Sequence, residues 1–414
     1  MRFVIIGNSA AGVAAVETLR RLAGGGGEIT VVSDEPGAAY SRCLLPDVLA
    51  GKKAEDSVRL RPRDFYRRSG VELIGGVRAV RLQPAAKKLL LQDGRELSYD
   101  RLLLAAGAEA VLPELPGARL PGVFTLRTLA DARALMAAAG RAAAAVVAGG
   151  GLVGLKAALA LRLAGVEKVT VVVTSPRLLI RQLDERAAAL VERELLACGL
   201  EFIYNAAVRE FTAGPDGRLI GAVLDDGREL PAGLAVVAKG VRPRTELAAQ
   251  AGGRVGRGIQ VDAHLRTSLP DVYAAGDCIE VRDRLTGQPV NSALWTLAFE
   301  QGRCAAANMA GKTLAYPAPL TRLNSARFGS VDVIAVGLIE GPEVFAHADG
   351  PARTYRRLVF DGERLVGFIL AGRVDGAGIY TALVRSGRPA RKHLRDLLAG
   401  RPGAAAADIL LHPR

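Results

Sequence analysis

Four groups of residues in this chain have types and spacings suited to chemistry. Gly7, Ser9 and Gly12, within RFVIIGNSAAG, fall at G-x-G-x-x-G spacing with serine in the middle, and Gly149, Gly151 and Gly154 repeat that spacing with glycine throughout. Such a turn joins a buried strand to a helix whose free amides and positive dipole end hold a pyrophosphate. Cys43 precedes Leu-Leu-Pro, where the start of a helix would stabilise a thiolate beside a cofactor. A buried, inert thiol is the alternative there. Gly276 and Asp277 close an apolar run ahead of a helix, so that the carboxylate can accept from ligand hydroxyls while the helix amino end faces an electron-rich ring.

The elements that must position these residues are written in the apolar pattern. Phe3 to Ile6 reads as a buried parallel strand, Val13 to Leu22 as its helix and Ile29 to Val32 as the next strand. Asp34 and Glu35 then stand roughly 20 residues beyond Gly12, where an acid accepts from an adenosine ribose, or else form a solvated acidic turn. AAVVAGGGLVGLKAALALRLAG from Ala144 repeats strand, turn and helix, which makes an internal duplication. Its next strand, KVTVVV, brings Val173 to the place of the ribose acid, with Thr174 and Ser175 behind it. NADH selectivity loses its usual support, and Arg177 and Arg181 are either ligands for a 2′-phosphate or plain surface arginines.

Between the two units, VELIG, VRAVRL, KLLLQ and ELSYDRLLLAAG read as strands, with a hairpin at Asp93-Gly94 and small residues at Ala105, Ala106 and Gly107 for close approach to a flat ligand. A Pro/Gly cluster from Pro113 to Gly122 marks a boundary. Beyond Gly154 follow a helix from Leu183 to Cys198, the strands FIYNAAVREF, GRLIGAVLDDG and LAVVAKGVRPR, and a helix starting near Trp295. The tail from Tyr316 is strand-rich, with a helix over Ile379 to Val384.

The formal net charge of +13 suits an acidic partner or a nucleotide, but no dense Lys/Arg cluster with interleaved aromatics marks a nucleic-acid groove. The Ala/Gly-rich stretch from Ala134 to Ala160 is broken by Arg141 and the glycines near 150, which argues against a membrane span. Cys43, Cys198, Cys278 and Cys304 are widely spaced without C-x-x-C, so neither a metal site nor a disulfide framework is expected. A soluble protein of the reducing cytoplasm is the expectation.

In this order the motifs resemble those of the pyridine nucleotide-disulfide oxidoreductase superfamily over essentially the whole chain. GNSAAG is similar to its FAD pyrophosphate loop, LLLAAG to its A-T-G-type strand, GGGLVG to its NAD(P)H loop, VVAKGVRP to its second nicotinamide motif and TSLPDVYAAGDC to its second FAD motif. The resemblance implies an α/β chain with two Rossmann-like domains and a C-terminal α+β interface domain that makes a homodimer plausible. Its boundaries would be residues 1–112 and 242–315 for FAD, 113–241 for NAD(P)H and 316–414 for the interface. FAD would be held by Gly7, Ser9, Ala10, Ala11, Gly12, Asp34, Glu35, Arg42, Ala79, Ala106, Gly107, Gly276, Asp277 and Trp295. NAD(P)H would be held by Gly149, Gly151, Leu152, Val153, Gly154 and Gly240.

Two branches of that superfamily compete. SDEP, YSRCLLPDVLAG, RQLDERAAALVERELLACG and the W-x-x-A-x-x-Q run from Trp295 to Gln301 resemble nitrite reductase flavoprotein parts and rubredoxin or ferredoxin reductases. That implies an FAD-dependent NAD(P)H oxidoreductase with an acidic ferredoxin or rubredoxin as acceptor. Cys43 to Pro46 resembles instead the single redox cysteine of CoA-disulfide or persulfide reductases. Ala10 stands where oxidases and peroxidases of that branch carry a histidine, and His264, His347, His393 and His412 lie outside every motif. Lys156 replaces the usual glutamate after the second glycine turn, close to where nicotinamide meets flavin, and together with Val173 it keeps open a third reading, a flavin-binding redox sensor with little turnover.

Overall fold

The structure is a computed structural model that describes residues 1–22, 26–350 and 353–411, with side chains up to residue 407. The chain forms two compact units. One comprises Met1–Leu44, Ala54–Glu109 and Val241–Thr321, the other Leu45–Lys53, Ala110–Gly240 and Arg322–Arg414.

The first unit is built on a five-stranded parallel sheet in the order Val272–Ala274, Arg101–Leu104, Arg2–Ile6, Glu28–Ser33, Val71–Gly75. Its central strand is apolar on both faces, as a parallel strand covered on both sides must be, and Ile5 is fully buried. The helix Ala10–Leu22 starts three residues earlier than the apolar pattern suggests, inside the glycine motif itself. It crosses the helix Trp295–Met309 so closely that a Cβ on Gly302 would lie 2.2 Å from the carbonyl oxygen of Ala11.

ELSYDRLLLAAG, expected as one strand, is two. Glu96–Ser98 joins an antiparallel sheet with Ala79–Gln83 and Lys88–Leu91, while Arg101–Leu104 joins the parallel sheet. Asp100 separates them, its amide donating to Arg2 O.

The second unit repeats the parallel sheet with the order Leu200–Tyr204, Lys168–Val173, Ala144–Ala148, Leu234–Val237, Val123–Phe124. FIYNAAVREF breaks at Asn205, whose φ of 52° is left-handed and ends the strand. LAVVAKGVRPR breaks at Gly240, φ 100°. The same unit holds a five-stranded antiparallel sheet, Leu323–Phe328, Val331–Gly337, Arg364–Gly372, Thr354–Asp361, Glu343–Asp349, covered by the helix Ala377–Ser386. This C-terminal sheet is tied to the helix Glu185–Ala197. Asp184 caps that helix by accepting from the Ala187 amide at 3.1 Å and also takes bonds from Tyr355 and Arg357, while Glu194 accepts from the Ser330 amide at 2.6 Å.

Candidate functional site: two glycine turns

The first turn is shaped by contacts that tolerate no side chain. A Cβ on Gly7, whose φ is 119°, would lie 2.0 Å from Ala105 O, and one on Gly12 would lie 2.0 Å from Gly7 O. The first helical bond runs from Val13 N–H to Ser9 O at 2.9 Å, so the amides of Ala10, Ala11 and Gly12 precede the ladder. Those three N–H groups are what a pyrophosphate requires. Gly276, φ 84°, is brought against the same helix, since its Cβ would be 3.3 Å from that of Ala11.

Two residues outside the glycine motifs fix that corner. The buried Gln301 accepts from the Gly276 amide at 2.8 Å, and Asn291 donates to Asp277 O at 2.6 Å. The W-x-x-A-x-x-Q spacing flagged Gln301, whereas Asn291 had no signal. Trp295 begins the helix, its ring edge-on to Phe299 at 5.7 Å.

At the end of the second strand the two acids are both paired. Glu35 takes bonds from Tyr40 and from the Arg42 guanidinium, and Asp34 accepts from Arg244 at 2.7 Å. Burial alone would lower the Arg42 pKa, but Tyr40, Glu35 and Asp277 outweigh it and hold the guanidinium above its ordinary value. Arg244, which nothing local to Asp34 points to, also donates its backbone amide to Gly107 O at 3.0 Å. Ala79 is buried in the adjoining antiparallel strand, and Ala106 and Gly107 follow the strand Arg101–Leu104 directly. The carboxylates, the free amides and the glycine cradle together fit the ribose and pyrophosphate of FAD. Cys43 lies in a short 3-10 turn, Arg42–Leu44, ahead of the helix Leu45–Leu49, with an exposed thiol.

In the second turn a Cβ on Gly154 would be 2.0 Å from Gly149 O, and one on Gly149 2.4 Å from Ala238 O. The helix Leu152–Leu163 has no side-chain cap, and its first bond is Leu155 N–H to Gly151 O at 3.0 Å. The amides of Leu152, Val153 and Gly154 are thus ahead of the ladder as well. Gly240 follows two residues after Ala238, and burial lowers the pKa of the intervening Lys239, with Asp225 opposing.

Lys156 is committed within its own unit. Its ammonium donates to Arg327 O at 2.5 Å and lies 5.5 Å over the Phe328 ring. Burial lowers its pKa, with Asp47 and Asp332 opposing.

No group of three or more potential metal ligands occurs among the described residues, and no helix there is long and apolar enough to cross a membrane. His264 bonds Leu314 O, His347 and His393 belong to the C-terminal region, and His412 lies outside the described residues.

Comparison with known proteins agrees with this geometry. The family model for pyridine nucleotide-disulphide oxidoreductases matches residues 1–302. The chain is 33% identical over 377 residues to the assimilatory nitrate reductase electron transfer subunit of Bacillus subtilis (strain 168), covering 90% of this chain and 47% of that protein. It is 34% identical over 320 residues to the rubredoxin-NAD(+) reductase of Pseudomonas putida, covering 77% of this chain and 82% of the reductase. The chain spans about half the length of the first curated relatives it matches. Among solved structures, an NAD-dependent persulfide reductase from A. fulgidus superposes with a TM-score of 0.88 at 27% identity, covering 95% of this chain and 78% of that one. With two glycine turns, paired acids at the first and this breadth of likeness, the chain belongs to the pyridine nucleotide-disulphide oxidoreductase family, whose cofactors are FAD and a nicotinamide nucleotide.

Proposed function

We propose that the protein is a cytoplasmic, FAD-dependent NAD(P)H oxidoreductase that passes electrons to a small acidic iron protein, a ferredoxin or rubredoxin. The observation that supports this most is the duplicated turn: two helix amino ends free of internal bonds, one beside carboxylates suited to an adenosine ribose and one without them. Bound FAD supplies a hydride acceptor able to release its electrons singly.

The residues of the chain do the holding. Ser9 and the amides of Ala10, Ala11 and Gly12 take the FAD pyrophosphate, Asp34 and Glu35 the adenosine ribose, and Asp277 the ribityl hydroxyls. Arg42 supplies positive charge, and Ala79, Ala106, Gly107 and Trp295 supply surface. Gly149, Gly151, Leu152, Val153, Gly154 and Gly240 hold the nicotinamide nucleotide. The positive charge of the chain supports the acidic partner, and the likeness to a rubredoxin-NAD(+) reductase supports the iron protein. Pairing of two copies through the C-terminal sheet belongs to the same proposal and is checked by analytical ultracentrifugation.

Stopped-flow mixing of the purified holoprotein with NADH and with NADPH tests the core reading. Flavin absorbance should bleach with at least one of them, and a flavin reduced by neither removes the proposal. A second reading is favoured by the exposed Cys43 thiol and the persulfide reductase likeness: a thiol-dependent two-electron reduction. Cys43→Ser separates the two. Unchanged turnover with ferredoxin or rubredoxin takes the thiol out of the mechanism, while loss of a two-electron equivalent in reductive titration puts it in.

A further inference from the structure

We infer that the nucleotide carried by the second glycine turn is the 2′-phosphorylated one, NADPH, and that Arg177 and Arg181 hold its 2′-phosphate. The inference rests on the NAD(P)H reading and adds the substrate to it.

The two parallel sheets provide an internal ruler. Ile6 pairs with Val32 in the first unit and Ala148 with Val172 in the second, and in each the first glycine of the turn donates to that same partner residue: Gly7 to Val32 O, Gly149 to Val172 O. Counting on from there, Val173 stands where Ser33 does, and Thr174 and Ser175 stand where Asp34 and Glu35 do. Neither the strand end nor the two positions beyond it can offer a carboxylate to a ribose 2′-hydroxyl. Val173 is instead buried and packed against the turn, where a Cβ on Gly150 would lie 2.7 Å from its Cγ1.

The loop beyond is pinned to the turn, because the Leu179 amide donates to Gly150 O at 3.0 Å with Leu179 itself at a φ of 51°. Between Val173 and Leu183 the charged residues are Arg177 and Arg181, both positive. Arg177 Nε is anchored on Leu183 O at 3.3 Å, and Arg181 is exposed. The first carboxylate after the strand, Asp184, is engaged by Tyr355, Arg357 and the helix cap, so it is not a ribose ligand. A strand end with no acid and two arginines on a pinned loop favours a phosphate over a free hydroxyl.

Isothermal titration of the holoprotein with 2′,5′-ADP and with 5′-AMP reads the 2′-phosphate directly, without turnover. The expected result is 2′,5′-ADP binding at least about tenfold tighter, in line with charge-assisted bonds. Arg177→Ala and Arg181→Ala should each cut that preference several-fold while leaving 5′-AMP affinity unchanged. Thr174→Asp with Ser175→Glu, which copies the first turn's acids onto an exposed and a half-buried position, should reverse it. In stopped flow the flavin should be reduced more efficiently by NADPH than by NADH. Equal binding of the two adenosine phosphates, or a preference for NADH, overturns the inference while the oxidoreductase reading stands. Absence of reduction by either nucleotide overturns that reading instead, and the titration still decides the phosphate.

Discussion

In the first glycine turn the Gly7 amide donates to Val32 O at 2.8 Å, and in the second the Gly149 amide donates to Val172 O at 3.0 Å; Gly12 and Gly154 each press a helix onto the first glycine's carbonyl with no room for a Cβ. The backbones are equivalent, yet their surroundings differ at two points. Position two of the motif is Asn8 in the first turn, held between the Tyr66 hydroxyl and Gly37 O, and Gly150 in the second, closed over by Val173. The strand end beyond carries Asp34 and Glu35 with their arginines in one case and Thr174 and Ser175 in the other. The shared part builds a phosphate seat. Under the proposed function the unshared part decides which phosphate compound sits there, so that one device repeated in one chain would serve a resident cofactor and an exchanging substrate.

Breaking each seat in turn should give the largest effects and separate the two roles. Gly12→Ala and Gly154→Ala place a Cβ about as close to a carbonyl oxygen, 2.0 Å in both. Forced overpacking costs roughly 1–3 kcal/mol, and more when the obstacle is backbone. Gly12→Ala is expected to purify with under about a tenth of its flavin, a loss near the lower end of that energy. Gly154→Ala should keep its flavin and lose reduction by nicotinamide nucleotide. The flavin-to-protein absorbance ratio and stopped-flow reduction measure both, and loss of flavin in the second variant would show that the turns are not specialised in this way.

Both glycine turns were legible in the sequence because they are local: a strand, three small residues at fixed spacing and a helix lie within a short span. Gly276 and Asp277 were legible for the same reason. What the sequence did not show is what closes over those spans. Arg244 reaches Asp34 from 210 residues away, Asn291 fixes the carbonyl of Asp277, and Lys156 bonds Arg327 O, all by tertiary contacts without a period or motif. The helix Ala10–Leu22 starts inside its glycine motif because small residues with no apolar period can still continue a helix, so the hydrophobic pattern set its start too late. The acid positions of the second turn agree by both routes to within one residue. The strand register sets them opposite Thr174 and Ser175, while counting from the last glycine lands on Val173.

The acids give the next largest effect. Arg42 and Glu35 form a mostly buried pair. Removing one partner leaves the other desolvated without its bond, whereas replacing both with apolar residues of similar size is often near neutral for stability. Arg42→Met is therefore expected to destabilise by roughly 2–3 kcal/mol, read as a lowered thermal midpoint, and to weaken FAD binding. Adding Glu35→Leu should restore most of the midpoint but not the FAD affinity, since the ribose has lost one of its two acceptors. If the double variant recovered both, the acids of the first turn would be structural and the contrast with Thr174 and Ser175 would carry no meaning for ligands.

The smallest effect concerns position two and appears only at alkaline pH. Burial raises the Tyr66 pKa from 10.0 to about 12, the bonds with Ala39 and Asn8 and the charge of Arg61 opposing. A raised folded-state value means that stability is intact below pH 10 and falls as pH rises toward 12, because only the unfolded chain releases the proton in that window. A shift of about two units is worth about 3 kcal/mol at most. The second turn has Gly150 in the place of Asn8 and no tyrosine bonded there. FAD retention should therefore fall between pH 10 and 12, with the 2′,5′-ADP affinity less affected at the onset. Tyr66→Phe should cost about 1 kcal/mol near neutral pH through the lost bond to Asn8, and should flatten the alkaline decline. A decline equally steep in Tyr66→Phe would assign the alkaline loss to other groups, with Tyr99 and Tyr355, also raised to about 12 by burial, next to be replaced.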